Sequence, residues 1–108
     1  MKISLNQTIT FLYFIVLSAF NVNTHADSDT HARNLAASCA ACHGTNGNSV
    51  GGTPVLAGLD KVLFVKQMKD FKTGARTATV MHQHAKGYTD EEIDKLADFF
   101  STQKRYVK

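Results

Sequence analysis

The sequence is poor in the residues and motifs on which several classes of protein depend. Its 108 residues include only two cysteines and a single proline. We find no convincing Ser–His–Asp pattern, paired-carboxylate site, P-loop or dinucleotide-binding glycine motif, which argues against catalysis by this chain alone. The net charge of +3 is small and no recognised nucleic-acid-binding module is present, so nucleic acid is not an expected partner. Internal repeats and low-complexity tracts are also lacking, and the length suits one domain at most.

The two cysteines lie close together in the motif Cys39-Ala-Ala-Cys42-His43. C-x-x-C-H is the attachment pattern of a covalently bound c-type haem. On one turn of helix the three side chains can point the same way, so that two sulfurs meet the haem vinyl groups and the histidine reaches the iron. The alternatives are a redox disulfide, or half of a zinc site with His43 at the surface. Zinc would need further ligands and a thioredoxin-like site would need alternating strands and helices, and neither pattern is clear.

The N-terminal segment has the pattern of a secretory signal peptide. Lys2 gives it a positive start, residues 9–20 are almost entirely apolar, and Ala26 is the small residue that signal peptidase prefers. The apolar run is too short for a comfortable membrane span, and the alternative is an uncleaved signal anchor. We therefore expect a signal peptide at 1–26, a mature domain at 27–108 and a periplasmic location. In so short a domain, a core made only of apolar side chains gives marginal stability. A large apolar cofactor would enlarge that core.

A helix is predicted to carry the Cys–His motif at its end. Ser28 or Asp29 can cap the start of this helix. Its narrow apolar stripe consists of Ala32, Leu35, Ala36 and Cys39.

The segment 44–54 is too rich in Gly and Asn for a helix or strand and is predicted to be a loop. It ends at Pro54, whose carbonyl can accept the Nδ1 proton of His43, fixing the imidazole and strengthening it as a ligand. A plain turn proline is the alternative interpretation.

Two further helices are predicted downstream. Asp60 opens one that ends at Gly74, and Met68 within it is interpreted as core rather than as a ligand. Thr89 and Glu92 form a capping box that opens the other. The predicted inward faces are Leu63, Phe64, Met68 and Phe71 in the first, and Ile93, Leu96, Ala97, Phe99 and Phe100 in the second. No convincing strand is found, so we expect an all-α fold of three or more short helices around one haem.

The segment 75–87 has no clear amphipathic period but contains four potential iron ligands. It is therefore the candidate distal side of the haem. A thioether ligand paired with His raises the reduction potential, which suits a one-electron carrier, although a bis-His site would also hold haem. From the chemistry alone, Met81 is only modestly favoured over His82 or His84 as the iron ligand. It can instead be a buried anchor of the loop. The four residues are Met81, His82, His84 and Lys86.

Charge is distributed unevenly in the second half of the chain. Residues 60–76 are mainly basic, whereas residues 90–98 are mainly acidic. A solvated helix face is the usual explanation, and a docking patch for a redox partner is the sharper hypothesis. The residues proposed for docking are Lys66, Lys69, Lys72 and Arg76.

Taken together, these residues resemble the small class I c-type cytochromes, and among them the haem subunits of flavocytochrome c sulfide dehydrogenases. The resemblance covers about residues 32–101 and rests on LAASCAACHGTNGNSVGGTPVLAG, FVKQMKDFKTGAR and ATVMHQHAKGYTDEEIDKLADFF. By position, it implies thioether bonds from Cys39 and Cys42, His43 as the proximal ligand, Pro54 as its carbonyl partner and Met81 as the distal ligand.

The resemblance also implies a fold in which the first and last helices pack against each other, and a larger flavoprotein partner that oxidises sulfide. Some relatives carry two haem domains, whereas one C-x-x-C-H motif implies a single haem here. The expected function is exported single-electron transfer from that flavoprotein. The alternatives are a free soluble carrier that serves an oxidase or other acceptor, and a ligand-binding or peroxidatic haem protein.

Overall fold

The structure is a computed structural model that describes residues 7, 9 and 25–106. Within 25–106, side chains are described from residue 29 onward. Helix α1 spans His25–His43 and is followed by a 3-10 turn at Thr45–Gly47. Helix α2 spans Lys61–Thr73, the short α3 spans Met81–Lys86, and α4 spans Asp90–Thr102. No strand occurs in the described residues, so the predicted all-α class is confirmed. No helix among these residues is long and apolar enough to span a membrane. The predicted signal peptide at 1–26 lies almost wholly outside them.

Helix α1 begins earlier than its sequence predicts. Ser28 and Asp29 lie inside the helix rather than at its cap, and Asp29 instead forms an ion pair with Arg33 one turn later, at 3.1 Å. The predicted stripe is correct in that Ala32 and Ala36 are buried. Their small side chains allow the close approach of α4, against which α1 packs.

Helix α2 has the predicted ends. The Asp60 side chain accepts a hydrogen bond from the Leu63 amide at 2.9 Å, and Gly74 ends the helix in the left-handed region with φ of 81°. Phe64 and Met68 are buried as expected. The prediction for Leu63 was wrong, since this residue on the first turn is 42% exposed and faces away from the core.

Helix α4 supplies five of the ten buried residues of the core cluster. Thr89 and Glu92 form the predicted capping box, with Glu92 N donating to Thr89 Oγ1 at 3.2 Å and Thr89 N donating to Glu92 Oε2 at 2.8 Å. The Phe100 ring is buried and packs against Phe64 of α2, with ring centroids 5.6 Å apart. All five predicted inward residues are buried, namely Ile93, Leu96, Ala97, Phe99 and Phe100.

The 3-10 turn and the short helix α3 were not predicted. The turn is built on two positive-φ glycines, and α3 is only six residues long and lacks an amphipathic repeat. Helix α3 packs against α2, and its Ala85 is fully buried. Tertiary contacts such as the burial of Ala85, rather than periodicity, therefore hold this helix.

Candidate haem site

The motif Cys39 to His43 forms the last turn of α1. Cys39 is half-buried, Cys42 is exposed, and no disulfide joins them. His43 is the one polar or charged residue among those described that counts as buried, with 8% of its surface exposed. A three- and four-residue spacing on a helix places side chains on neighbouring positions of one face. The helix therefore presents two sulfurs and one imidazole together, as covalent attachment of a haem requires.

The imidazole of His43 is oriented by the loop that follows it. Its Nδ1 lies 2.7 Å from the carbonyl oxygen of Pro54, so the predicted hydrogen bond is present. A carbonyl can only accept, so Nδ1 carries the proton, and the Nε2 of the neutral ring then has a free lone pair. This tautomer is the one that a metal ligand needs, and the carbonyl partner fixes the orientation of the ring.

The loop after His43 is folded back onto the core by Gly47. Its φ is 77°, and a Cβ at this position would lie 2.8 Å from Leu56 Cβ and 2.9 Å from Phe100 Cδ1. The Gly47 carbonyl accepts from the amides of Leu56 and Ala57 at 2.8 and 3.2 Å. Only glycine combines this conformation with so close an approach. The turn therefore fixes the start of the loop that returns to His43.

Thr53 is a further part of the site that sequence reasoning missed. Its hydroxyl donates to the carbonyl of Cys42 at 2.5 Å and lies 2.6 Å from the Ser49 hydroxyl. It thereby ties the residue before Pro54 to the haem motif itself. Its position next to Pro54 was the available clue, because the loop must be held for the proline carbonyl to meet His43.

The candidate distal segment coincides with α3. Met81 is its first residue, is half-buried and packs against the core cluster, which Cys39 also contacts. His82 is half-buried, whereas His84 and Lys86 are exposed. Met81 therefore lies against the same core cluster as Cys39. No group of three or more His, Cys, Asp or Glu side chains suited to a metal ion occurs within residues 29–106, so the zinc alternative gains no support.

Cys39 lies in a mainly apolar setting that includes two hydroxyl groups. Burial raises the pKa of the Cys39 thiol, while hydrogen bonding to Ser38 and Tyr88 acts in the opposite direction. This direction is opposite to the lowered pKa that is typical of a reactive redox cysteine, so the disulfide alternative gains no support. Ser38 and Tyr88 were not identified from the sequence as part of the site.

The donor set thus fits a haem: two thiols and one tautomer-fixed imidazole on α1, with a half-buried thioether at the start of α3. A separate open cleft of about 290 Å³ is lined by Lys72, Arg76, His82 and Lys86 among others, but not by the motif or by Met81. This cleft is therefore a surface feature beside α3 rather than the attachment site.

Comparison with known proteins agrees with this arrangement. Residues 31–104 match the family model described as "Cytochrome c". The chain belongs to the cytochrome c family, so the predicted class I fold is confirmed. It carries one haem c, attached covalently through Cys39 and Cys42, as the sequence predicted.

The similar proteins are bacterial cytochromes and electron acceptors. The chain is 50% identical over 66 residues to the cytochrome subunit of sulfide dehydrogenase from Chlorobaculum tepidum, covering 61% of this chain and 60% of that protein. It is 39% identical over 85 residues to cytochrome c4 of Pseudomonas aeruginosa, covering 77% and 42%. It is 41% identical over 68 residues to a thiosulfate dehydrogenase electron acceptor of Stutzerimonas stutzeri, covering 61% and 32%. The chain thus spans less than two thirds of the length of each of these relatives.

Proposed function

We propose that this chain is an exported, periplasmic monohaem cytochrome that carries single electrons and does not catalyse a reaction by itself. In this proposal residues 1–26 are a cleaved signal peptide and 27–108 are the haem domain. The observation that carries it is the C-x-x-C-H motif at the end of α1, with His43 oriented by the Pro54 carbonyl at 2.7 Å.

In this proposal His43 and Met81 are the residues that would hold the iron of the haem. When bound, the haem supplies an iron that takes up and releases one electron at a time. Cys39 and Cys42 hold the group on α1, and the Pro54 carbonyl keeps the imidazole in one orientation in both oxidation states. Met81 contributes a neutral thioether, which favours the reduced form and raises the reduction potential. The apolar core packed beside Met81 restricts water, which acts in the same direction.

The proposed electron donor is a flavoprotein that oxidises sulfide. The support is the 50% identity to a protein named as the cytochrome subunit of sulfide dehydrogenase. A free carrier is the second candidate, because other relatives are named as cytochromes c4 and c-553 or as a thiosulfate dehydrogenase electron acceptor.

The docking surface proposed from the sequence needs revision. Lys66 pairs with Asp70, while Lys69 and Lys72 both pair with Asp90, so much of their charge is balanced within the chain. Arg76 stacks over the Phe71 ring at 5.0 Å.

The revised surface is the cleft beside α3, which we call the basic cleft. Its cations are Lys72, Arg76 and Lys86, and it also contains His82, the residue after Met81. Of these, Arg76 and Lys86 form no ion pair with another described residue. An acidic patch on a redox protein is the occupant that this charge fits.

The test is purification of the protein from cells that also express the proposed flavoprotein donor, followed by redox titration of the haem. Co-elution with a flavin-bearing chain, and reduction of the haem by sulfide only when that chain is present, would support the subunit. A stable monomer that exchanges electrons with several acceptors would support the free carrier. A titration that does not follow a single one-electron curve, or rapid binding of carbon monoxide by the reduced protein, would contradict both and favour an open distal site.

A further inference from the structure

Tyr88 lies between α3 and α4 and belongs to neither helix. Its amide donates to the Ala85 carbonyl of α3 at 3.3 Å. Its carbonyl accepts from Lys72 Nζ of α2 at 2.7 Å. Its hydroxyl lies 2.5 Å from the Ser38 hydroxyl of α1. One residue therefore joins the helix that carries the cysteines to the helix that begins with Met81.

The Ser38 and Tyr88 hydroxyls share one backbone acceptor. Ser38 Oγ lies 3.2 Å and the Tyr88 hydroxyl 3.4 Å from the Leu35 carbonyl, which can only accept. One hydroxyl therefore donates to the other across the 2.5 Å contact, and the hydroxyl that accepts there donates to the Leu35 carbonyl. Every hydroxyl in this chain of bonds has one acceptor. The tyrosine is thus fastened to the residue that directly precedes Cys39.

Helix α3 depends on such outside contacts. Six residues are far too few for a helix to be stable alone in water. Its N-cap residue, Val80, provides no side-chain cap bond and is 53% exposed, so the end nearest Met81 is not fixed locally. The tertiary anchors are the buried Ala85, the packing of Met81 against the core cluster and, at the other end of α3, the bonds of Tyr88. Loss of a Tyr88 hydrogen bond should therefore loosen α3 and change the position of Met81.

We propose that Tyr88 is a positioning residue for Met81: its hydrogen bond to Ser38 fixes α3 against α1, so that the thioether stays on the iron. This inference rests on the proposed function, because it requires Met81 to be the distal ligand. Tyr88 itself touches neither the iron nor any electron partner in this account. Its role is to make detachment of Met81 rare.

The test uses the haem-loaded protein and three variants. Tyr88→Phe removes only the hydroxyl, and Ser38→Ala removes its partner. Tyr106→Phe is the matched control, because that tyrosine is 69% exposed and lies outside the helices. The readouts are the methionine-to-iron absorption band at the red end of the visible spectrum, far-ultraviolet helix content during the same denaturant titration, and the rate of carbon monoxide binding.

Loss of one hydrogen bond should raise the population with Met81 detached about five- to tenfold. In Tyr88→Phe and in Ser38→Ala the band should therefore disappear at lower denaturant than helix content does, and carbon monoxide should bind faster by a similar factor. The double variant should add little to either single variant, because both remove the same bond. Tyr106→Phe should match the unmodified protein. If Tyr88→Phe does not fold, Ser38→Ala alone carries the test.

Three results separate the possible failures. If the unmodified protein lacks the band, Met81 is not the ligand and the proposed function fails together with this inference. If the band is present but both variants lose it and their helices at the same denaturant concentration, Tyr88 has a general packing role and only the positioning inference is overturned. Additive effects in the double variant would equally overturn it, because Tyr88 and Ser38 would then act independently.

Discussion

The imidazole of His43 and the carbonyl of Pro54 are hydrogen-bonded at 2.7 Å across 11 residues of chain. This bond fixes the tautomer and the orientation of the ring before any metal is considered. The loop between the two residues is consequently part of the site, and its geometry should matter as much as the residues that would touch the iron.

Gly47→Ala should destabilise this loop strongly. The new Cβ would meet Leu56 and Phe100 at under 3 Å and would force alanine into a φ of 77°. We expect a loss of about 2–4 kcal/mol in the free energy of unfolding of the haem-loaded protein, measured by denaturant titration. Gly51→Ala is the control, since nothing lies within 4 Å of its Cβ, and it should be neutral within about 1 kcal/mol. Equal losses in the two variants would show that the turn is not constrained.

Asp90 should make stability depend on acid pH. Hydrogen bonds from Lys72 and then Lys69 hold the pKa of the Asp90 carboxyl below its usual value of 3.8. The unfolded state therefore binds the proton more readily, so this stabilisation is present above the unfolded pKa and is lost as the pH falls through the lower folded pKa. Asp90→Asn should lower stability at neutral pH, and its difference from the unmodified protein should vanish in strong acid.

The measurement is a series of denaturant titrations from neutral pH down to about pH 2, below the reference pKa of aspartate. Asp94→Asn is the control, because Asp94 lies on the same helix and forms no ion pair with the residues the structure describes. The effect should be small, since Asp90 is exposed and its pairs are screened by solvent. A difference that stays constant down to the lowest pH would rule out the ion pairs as its cause.

The basic cleft should control encounter with an acidic redox partner. Arg76→Gln and Lys86→Gln should each slow electron exchange with such a partner by about threefold at low ionic strength, and less at high salt. Lys66→Gln is the matched control, because Lys66 already pairs with Asp70 and does not line the cleft. Stopped-flow reduction kinetics over a range of salt concentrations provide the comparison. Electron-exchange rates that do not depend on salt concentration, or an equal effect of Lys66→Gln, would show that the partner does not dock at the basic cleft.

Much of this fold follows from local sequence rules. The capping box at Thr89 and Glu92, the Asp60 cap and the Gly74 stop depend on residues within a few positions, so the sequence predicts them correctly. The C-x-x-C-H motif is local in the same way.

Other features depend on contacts between distant segments. Lys72 pairs with Asp90 across 18 positions, and Ser38 meets Tyr88 across 50. Neither contact has a repeat or motif that would reveal it, so the ion pair between Lys72 and Asp90 and the Tyr88 contact were both missed. Helix α3 was missed for the same reason, because tertiary burial of Ala85 holds a segment with no helical period.

The central proposal is that His43 and Met81 would hold the iron of the haem attached to Cys39 and Cys42. Its most direct test compares Met81→Ala with Met68→Leu, because Met68 is a buried core methionine with 5% exposure. Both variants should retain covalent haem. The measurement is the reduction potential, recorded by redox titration together with the methionine-to-iron absorption band.

Met81→Ala should abolish the band and lower the potential by on the order of 0.1 V, a modest part of the range that axial ligands set. Met68→Leu should keep both, with a loss in stability of at most about 1.5 kcal/mol. An unchanged band and potential in Met81→Ala, or their loss in Met68→Leu, would contradict the assignment.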